Sequence, residues 1–195
     1  MIEALTNISA AFGLSTSAGL NAYIPLLIVA LTARFTKLIE LQEPYNLLTS
    51  WWVIGLLVVL LVIEMLVDKV PAVDTANDMI QTFVRPAAGA LLFAANANVI
   101  NEIHPALALT AGLLMAGSVH AAKGVARPMV TASTAGTGNW FVSLVEDIIA
   151  FFVSILSLLL PIVMAVVILV MVALFGRWYV RRRRQKEGLA YNKSG

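Results

Sequence analysis

Charged side chains lie inside or directly beside long apolar runs at three places in this chain. They are Glu64 with Asp68, His120 with Lys123 and Arg127, and Glu146 with Asp147. An ionised side chain at the centre of a bilayer costs about 2.5–3.5 kcal/mol on insertion scales. These residues therefore predict an interior that water can reach, in which carboxylates handle protons or ions.

The first group contains carboxylates at helical spacing. Glu64 and Asp68 are four residues apart and share a helix face, where like charges repel unless a proton or a cation lies between them. Asp74 and Asp78 repeat this spacing, and Asp74 is a suitable N-cap for a short helix leading to Arg85. A solvated linker explains Asp74 and Asp78 equally well.

Glu146 and Asp147 are adjacent within an apolar run. Neighbouring helical residues point about 100° apart, so one carboxylate can meet Lys123 or Arg127 while the other faces a cavity. A buried carboxylate without a partner takes up a proton, which would suit proton coupling. The alternative is a structural salt bridge to Arg85 or Arg127.

The sequence does not predict a metal site or a catalytic site. His120 is more typical of a hydrogen-bonded interface residue than of a ligand, because no spacing places carboxylates around it in a metal geometry. The chain has no cysteine, and it has no glycine-rich phosphate loop, nucleophile elbow or metalloprotease helix. We predict no metal, no cofactor and no enzymatic activity.

The first apolar run carries residues that interrupt helices. Ser17, Gly19, Asn21 and Pro25 lie within it, and they predict a discontinuous helix whose backbone dipoles line a binding site. Close packing of helices through small residues is the alternative. Asn139 belongs to a similar segment, 132–140, which leaves an internal repeat open as an interpretation.

Two Arg-Pro pairs precede small residues and an apolar run. Proline is favoured in the first turn of a helix, so Arg85-Pro86 and Arg127-Pro128 predict two helix starts. Each arginine would then lie at the cytoplasmic membrane edge with its charge in water. The alternative is that both arginines pair with nearby carboxylates.

Composition and hydropathy place the chain among multi-spanning membrane proteins. It is 60% hydrophobic and 12% charged, with a mean hydropathy of +0.89, whereas soluble domains are about 25% charged. We predict an all-α, polytopic membrane helix bundle with about six segments, some broken or re-entrant. The expected spans are 4–33, 51–67, 86–100, 105–122 and two within 141–180 that separate at Pro161.

The distribution of Lys and Arg predicts the orientation. With the N-terminus in the cytoplasm, eleven of these residues fall inside and two outside. We therefore expect a multi-pass protein of the cell inner membrane with both termini cytoplasmic, a membrane domain over 1–180 and a basic tail over 181–195. The tail arginines follow an apolar helix, which indicates contact with lipid headgroups and not with nucleic acid.

Several strings of residues resemble a known family. They are Ser17-Ala-Gly-Leu-Asn-Ala-Tyr-Ile-Pro, Asp68-Lys-Val-Pro-Ala-Val-Asp, Thr82-Phe-Val-Arg-Pro-Ala-Ala-Gly and Ser143-Leu-Val-Glu-Asp-Ile-Ile-Ala, together with His120 and Arg127. The chain is similar, over about residues 13–161, to a bacterial membrane family known as a domain of unknown function, number four-one-two-six. The resemblance implies an integral inner-membrane protein and transfers no functional residue.

The sequence favours a small transporter or channel for an ion or a small polar solute. Ser17, Gly19, Asn21 and Asn139 would line the site, while the carboxylates, His120, Arg85 and Arg127 would handle charge. The alternative is a membrane scaffold or partner subunit in which the charges join helices. The expected partners are the lipid bilayer, the solute or ion and further copies of the chain. Substrate, direction and coupling ion stay open.

Overall fold

The chain folds into α-helices. The computed structural model describes residues 2–67, 71–97, 103–134 and 138–161, together with 163, 166, 170, 173, 174 and 176–178. The side chains of 2–5, 71–76 and 97 are not included. Over the described residues the structure contains six α-helices, a 3-10 helix at Tyr45–Thr49 and no strand, so the predicted all-α class is confirmed. The helices are α1 (Ile2–Leu20), α2 (Tyr23–Phe35), α3 (Trp51–Val67), α4 (Pro71–Ala97), α5 (Pro105–Thr134) and α6 (Asn139–Leu159).

Helix α6 is apolar on its outer side and carries polar residues on its buried side. On α6, Phe141 and Phe152 are exposed while Ser143 and Ser154 are buried, the reverse of a helix on a soluble protein. By length and composition, α5 and α6 could cross a membrane, and α2 and α3 are shorter apolar helices. These features indicate association with a membrane, where lipid covers the apolar faces.

Helix α1 lies at the centre of the bundle, where α4, α5 and α6 pack around it. Small buried residues such as Ala11, Ser15 and Ala18 permit this close approach. A Cβ atom on Gly19 would lie 2.6 Å from the Ala116 carbonyl oxygen of α5. Gly19 therefore acts in helix packing, as one of the two sequence interpretations predicted.

Asn21 interrupts the first apolar run between α1 and α2. Its Oδ1 accepts hydrogen bonds of 3.0 Å from the backbone N–H groups of Tyr23 and Ile24, which begin α2. Pro25 lies in the first turn of α2, where its missing N–H breaks no helical bond. The predicted discontinuity is confirmed, and Asn21 is its centre.

The predicted helix starts at the two Arg-Pro pairs are wrong. Pro86 lies inside α4 and Pro128 inside α5, so both helices are longer than expected. A helix surrounded by neighbours tolerates the one hydrogen bond that an internal proline removes. Arg85 and Arg127 are buried instead of reaching a membrane edge, and Asp74 lies within α4, so it is neither a cap nor part of a linker.

The long run after Phe141 is interrupted at the expected place. Helix α6 ends at Leu159, and Leu160 leaves the helical conformation with φ −133° and ψ 58°. The described positions from Pro161 to Trp178 are helical again. The break beside Pro161 is confirmed, whereas its division of the run into two membrane spans stays a prediction. The basic tail, 181–195, lies outside the described residues.

Helices α4 and α5 cross at two glycines, which leads to a stability prediction. A Cβ atom on Gly112 would meet the Gly89 carbonyl oxygen and lie 2.6 Å from the Phe93 Cβ, so Gly112→Ala forces the helices apart. We expect a loss of about 1–3 kcal/mol, measured as a lower Tm of the purified chain in detergent. A Cβ atom on Gly124 of the same helix has no atom within 4 Å, so Gly124→Ala should keep Tm or raise it slightly through the higher helix propensity of alanine. Equal Tm values for both variants would contradict this packing.

Candidate functional site

A buried ion pair joins α3 to α4. Arg85 Nη2 donates a hydrogen bond of 2.9 Å to Glu64 Oε1, and the side chains are 1% and 2% exposed. Glu64 is the charged residue of α3, whose other buried residues are Ile54 and Leu57. Burial of this depth requires a partner for each charge, so the pair fixes where α3 meets α4.

His120 continues the chain of contacts from α4 to α5. Its Nδ1 lies 3.2 Å from Arg85 Nη1, and its Nε2 lies 3.2 Å from Thr82 Oγ1. Since arginine only donates, Nδ1 accepts and Nε2 carries the proton. Thr82 in turn donates to the Asp78 carbonyl oxygen at 2.9 Å. His120 is thus a neutral interface residue in this arrangement.

Two further cations of α5 bind carboxylates on neighbouring helices. Lys123 Nζ lies 2.7 Å from Glu146 Oε2 of α6. Arg127 donates from Nη1 to Asp78 Oδ2 of α4 and from Nη2 to Ser143 Oγ of α6, both at 2.8 Å. The same Nη2 is 3.9 Å from Glu146. The interpretation in which the arginines pair with carboxylates is therefore confirmed.

Asp147 faces the break between α1 and α2. Asn21 Nδ2 donates to Asp147 Oδ1 at 2.9 Å, while the other end of the same amide caps α2. Ser17 of α1 contacts α6 one turn beyond Asp147. Its Oγ lies 2.7 Å from both the Ala150 carbonyl oxygen and Ser154 Oγ. The two adjacent carboxylates thus meet different partners, because Glu146 binds a cation and Asp147 binds an amide.

These contacts lie along one face of α6, on which Ala150 is the apolar residue between Asp147 and Ser154. We define the polar face of α6 by Asn139, Ser143, Glu146, Asp147, Ser154 and Ser157. With a rise of about 1.5 Å per residue it extends for about 27 Å. Among its partners are Ser17 and Asn21 of the first run and Lys123, Arg127 and Thr131 of α5, the last through a 3.0 Å hydrogen bond to Asn139 Oδ1.

The structure brings most of the predicted site residues together. Ser17, Asn21, Asp78, Arg127, Asn139, Glu146 and Asp147 meet at the polar face of α6, and Glu64, Arg85 and His120 form the adjoining chain. Gly19 belongs to helix packing. Asp68 lies outside the described residues, and the side chain of Asp74 does too.

Sequence reasoning did not include several residues of this face. Ser143, Ser154 and Ser157 fall on the same side of α6 as the two carboxylates, since polar or small residues recur there every three or four positions. That periodicity could have identified them. Among the described residues, no group of three or more His, Asp and Glu side chains could hold a metal ion.

The Glu64–Arg85 pair leads to a prediction about stability. Removing one partner of a buried pair leaves an uncompensated charge and costs about 3–5 kcal/mol, so Arg85→Gln should lower Tm strongly. Combining Glu64→Leu with Arg85→Met removes both charges and should recover at least half of that loss in thermal unfolding. Exposed Glu43→Gln serves as the control. A double variant no more stable than Arg85→Gln would show that the charges do not act as a pair.

The comparisons with known proteins identify a family. Curated proteins and solved structures give no match to the chain. The model of the family described as Domain of unknown function (DUF4126) matches residues 8–181. This span includes α2 to α6, most of α1 and every polar contact described above. The chain therefore belongs to the DUF4126 family.

Proposed function

We propose that the chain is a multi-pass protein of the cell inner membrane that provides a pathway for an ion or a small polar solute along α6. The observation that carries this proposal is the polar face of α6. Its length of about 27 Å is close to the hydrocarbon thickness of about 30 Å. A polar face of that length inside an apolar exterior supports movement of a polar species across the membrane.

The orientation follows from the charges. The basic residues place the first turns of α4, the last turns of α5 and the start of α6 on the cytoplasmic side. Helix α1 runs antiparallel to α4, since Ala11 packs against Phe93 and Ser15 binds Gly89, so its N-terminus belongs on the opposite side and the expectation of a cytoplasmic N-terminus is not kept. Asp78, Arg127 and Asn139 then lie at the cytoplasmic end of the polar face, and Ser154 and Ser157 towards the other side. Asp147 and Asn21 lie between these ends.

Asn21 and Asp147 are the residues we place at the centre of the pathway. Asn21 lies at the break between α1 and α2 and binds the carboxylate of Asp147. Interrupted helices bind ions and polar solutes in this way in transporters, which supports binding of the transported species here. A proton or cation arriving at Asp147 would compete with the Asn21 amide for the carboxylate. Release of that amide would change the N-terminal cap of α2, so binding and helix position are coupled.

A scaffold or partner subunit is the second candidate, and the ion pairs favour it. Three buried cations, Arg85, Lys123 and Arg127, each bind a carboxylate on another helix. Such contacts join helices where lipid offers no hydrophobic driving force between them. On this alternative the interior stays dry, and neutralising Lys123 together with Glu146 leaves function intact.

Water accessibility of single cysteines separates the two candidates. The chain has no native cysteine, and thiols react as thiolates, which requires water. We expect Asp147→Cys and Ser154→Cys in sealed vesicles to react with a membrane-impermeant maleimide. Ile148 and Phe152 are exposed on the outer side of α6 at similar depth and provide lipid-facing controls. Because lipid excludes water there, Ile148→Cys and Phe152→Cys should react at least tenfold more slowly than the two pathway positions. Equal and slow labelling at all four positions would indicate the scaffold.

Flux through the reconstituted protein tests Asp147 directly. We expect Asp147→Asn to retain the hydrogen bond to Asn21, and hence the fold, but to lower flux at least tenfold because the charge is lost. The measurement follows H⁺, Na⁺ and K⁺ movement in proteoliposomes with entrapped indicator dyes. Exposed Glu43→Gln is the matched control. Wild-type flux in Asp147→Asn would remove this carboxylate from the pathway.

A further inference from the structure

A cleft lies at the cytoplasmic end of the proposed pathway. Its volume is about 420 Å³, within the usual range of about 300–1,000 Å³ for small-molecule sites. Its lining includes Asp78, Gly124, Arg127, Pro128, Thr131 and Asn139. The residues from α5, which also include Ala132, recur at helical spacing and share one face. The cleft is thus bounded by α4, α5 and the start of α6.

The charge that a molecule meets in this cleft is mainly negative. The Asp78 side chain is 32% exposed, whereas that of Arg127 is 7% exposed. The guanidinium is already engaged, since it donates to Asp78 Oδ2 and to Ser143 Oγ and lies 3.9 Å from Glu146. An occupant therefore contacts the carboxylate more readily than the guanidinium, which favours a cation.

The cleft also presents oxygen atoms that accept hydrogen bonds. Pro128 has no N–H, so the carbonyl oxygen of Gly124 lacks the helical hydrogen bond from that position. The Thr131 hydroxyl donates its proton towards Arg127 O and Asn139 Oδ1, which leaves its oxygen as an acceptor. Asp78 binds Arg127 through Oδ2, and Oδ1 has no hydrogen-bond partner among the described residues.

We propose that this cleft binds a primary ammonium group, and this inference rests on the proposed function because it gives the pathway its cytoplasmic site. An ammonium group has three N–H donors and one positive charge, which suit the carbonyl oxygen of Gly124, the hydroxyl of Thr131 and the exposed carboxylate of Asp78. The volume fits a small organic molecule better than a bare metal ion, and the nearby guanidinium disfavours a multivalent cation.

The ammonium group can belong to a free amine or to the headgroup of an ethanolamine lipid. Both carry the same chemistry, and the cleft lies near the cytoplasmic membrane surface in the proposed orientation. Binding of a free amine in nanodiscs with and without phosphatidylethanolamine separates these sources. Loss of amine binding when that lipid is present identifies the headgroup, and unchanged binding identifies the free solute.

Equilibrium binding of three small probes tests the proposal. The full chain is placed in phosphatidylglycerol nanodiscs, and calorimetry measures the Kd of ethanolamine, ethylene glycol and glycolate at pH 7.5. These molecules have similar sizes but are positive, neutral and negative. We expect ethanolamine to bind at least tenfold more tightly than either of the others. Comparable binding of all three probes, or tighter binding of glycolate, would overturn the proposal.

Two variants locate the binding in the cleft. Gly124→Leu adds a side chain at the cleft and removes no charge, and its Cβ position has no atom within 4 Å, so it should raise the ethanolamine Kd at least tenfold. Gly55→Leu on α3 has the same open surroundings and should bind as the wild type. Asp78→Asn should also raise the Kd. Wild-type affinity in Gly124→Leu would overturn the assignment to this cleft.

Binding and flux are measured separately, so the two proposals can fail separately. Ethanolamine binding without any flux of ions or of ethanolamine would contradict the pathway and leave the ammonium site in place. Flux that depends on Asp147, with no preference for ethanolamine over ethylene glycol, would contradict the ammonium site alone.

Discussion

Arg85 forms the contact on which the arrangement of three helices depends. Its guanidinium binds Glu64 of α3 and His120 of α5, so α3, α4 and α5 meet around one buried cation. Lipid is as apolar as the outer faces of these helices, and hydrophobic burial therefore contributes little to their association. A buried charge without its partner is strongly unfavourable, and this penalty restricts the helices to positions where both partners are reached.

The same constraint sets the register of α5 against its neighbours. His120, Lys123 and Arg127 recur at intervals of three and four residues, so they lie on one side of α5. Their partners come from α4 and α6, and a shift of α5 by one residue would turn all three away from those partners. Close contact between Gly89 and Gly112 brings the backbones near enough for these side chains to reach.

The sequence predicted those features that depend on local chemistry. Residues 51–67 form α3 as expected, and the break in the first run was expected from its glycine, asparagine and proline. The extents of α4 and α5 were underestimated, because the charged stretches at their ends look like loops until cations and carboxylates from different helices are known to meet. Which carboxylate pairs with which cation is a tertiary property, so the sequence left several pairings open.

Glu146 and Asp147 have different roles in the proposed pathway, where Glu146 joins two helices and Asp147 meets the transported species. Glu146 is balanced by Lys123, whereas Asp147 meets the neutral amide of Asn21. In the described part of the cluster, four carboxylates therefore accompany three cations and a neutral histidine. Carboxylates lining a pathway favour cations over anions. The carboxylate of Asp147, at the centre of the proposed pathway, has the same sign as the exposed carboxylate of Asp78 at its cytoplasmic end, so the proposed pathway favours a cationic occupant at both positions.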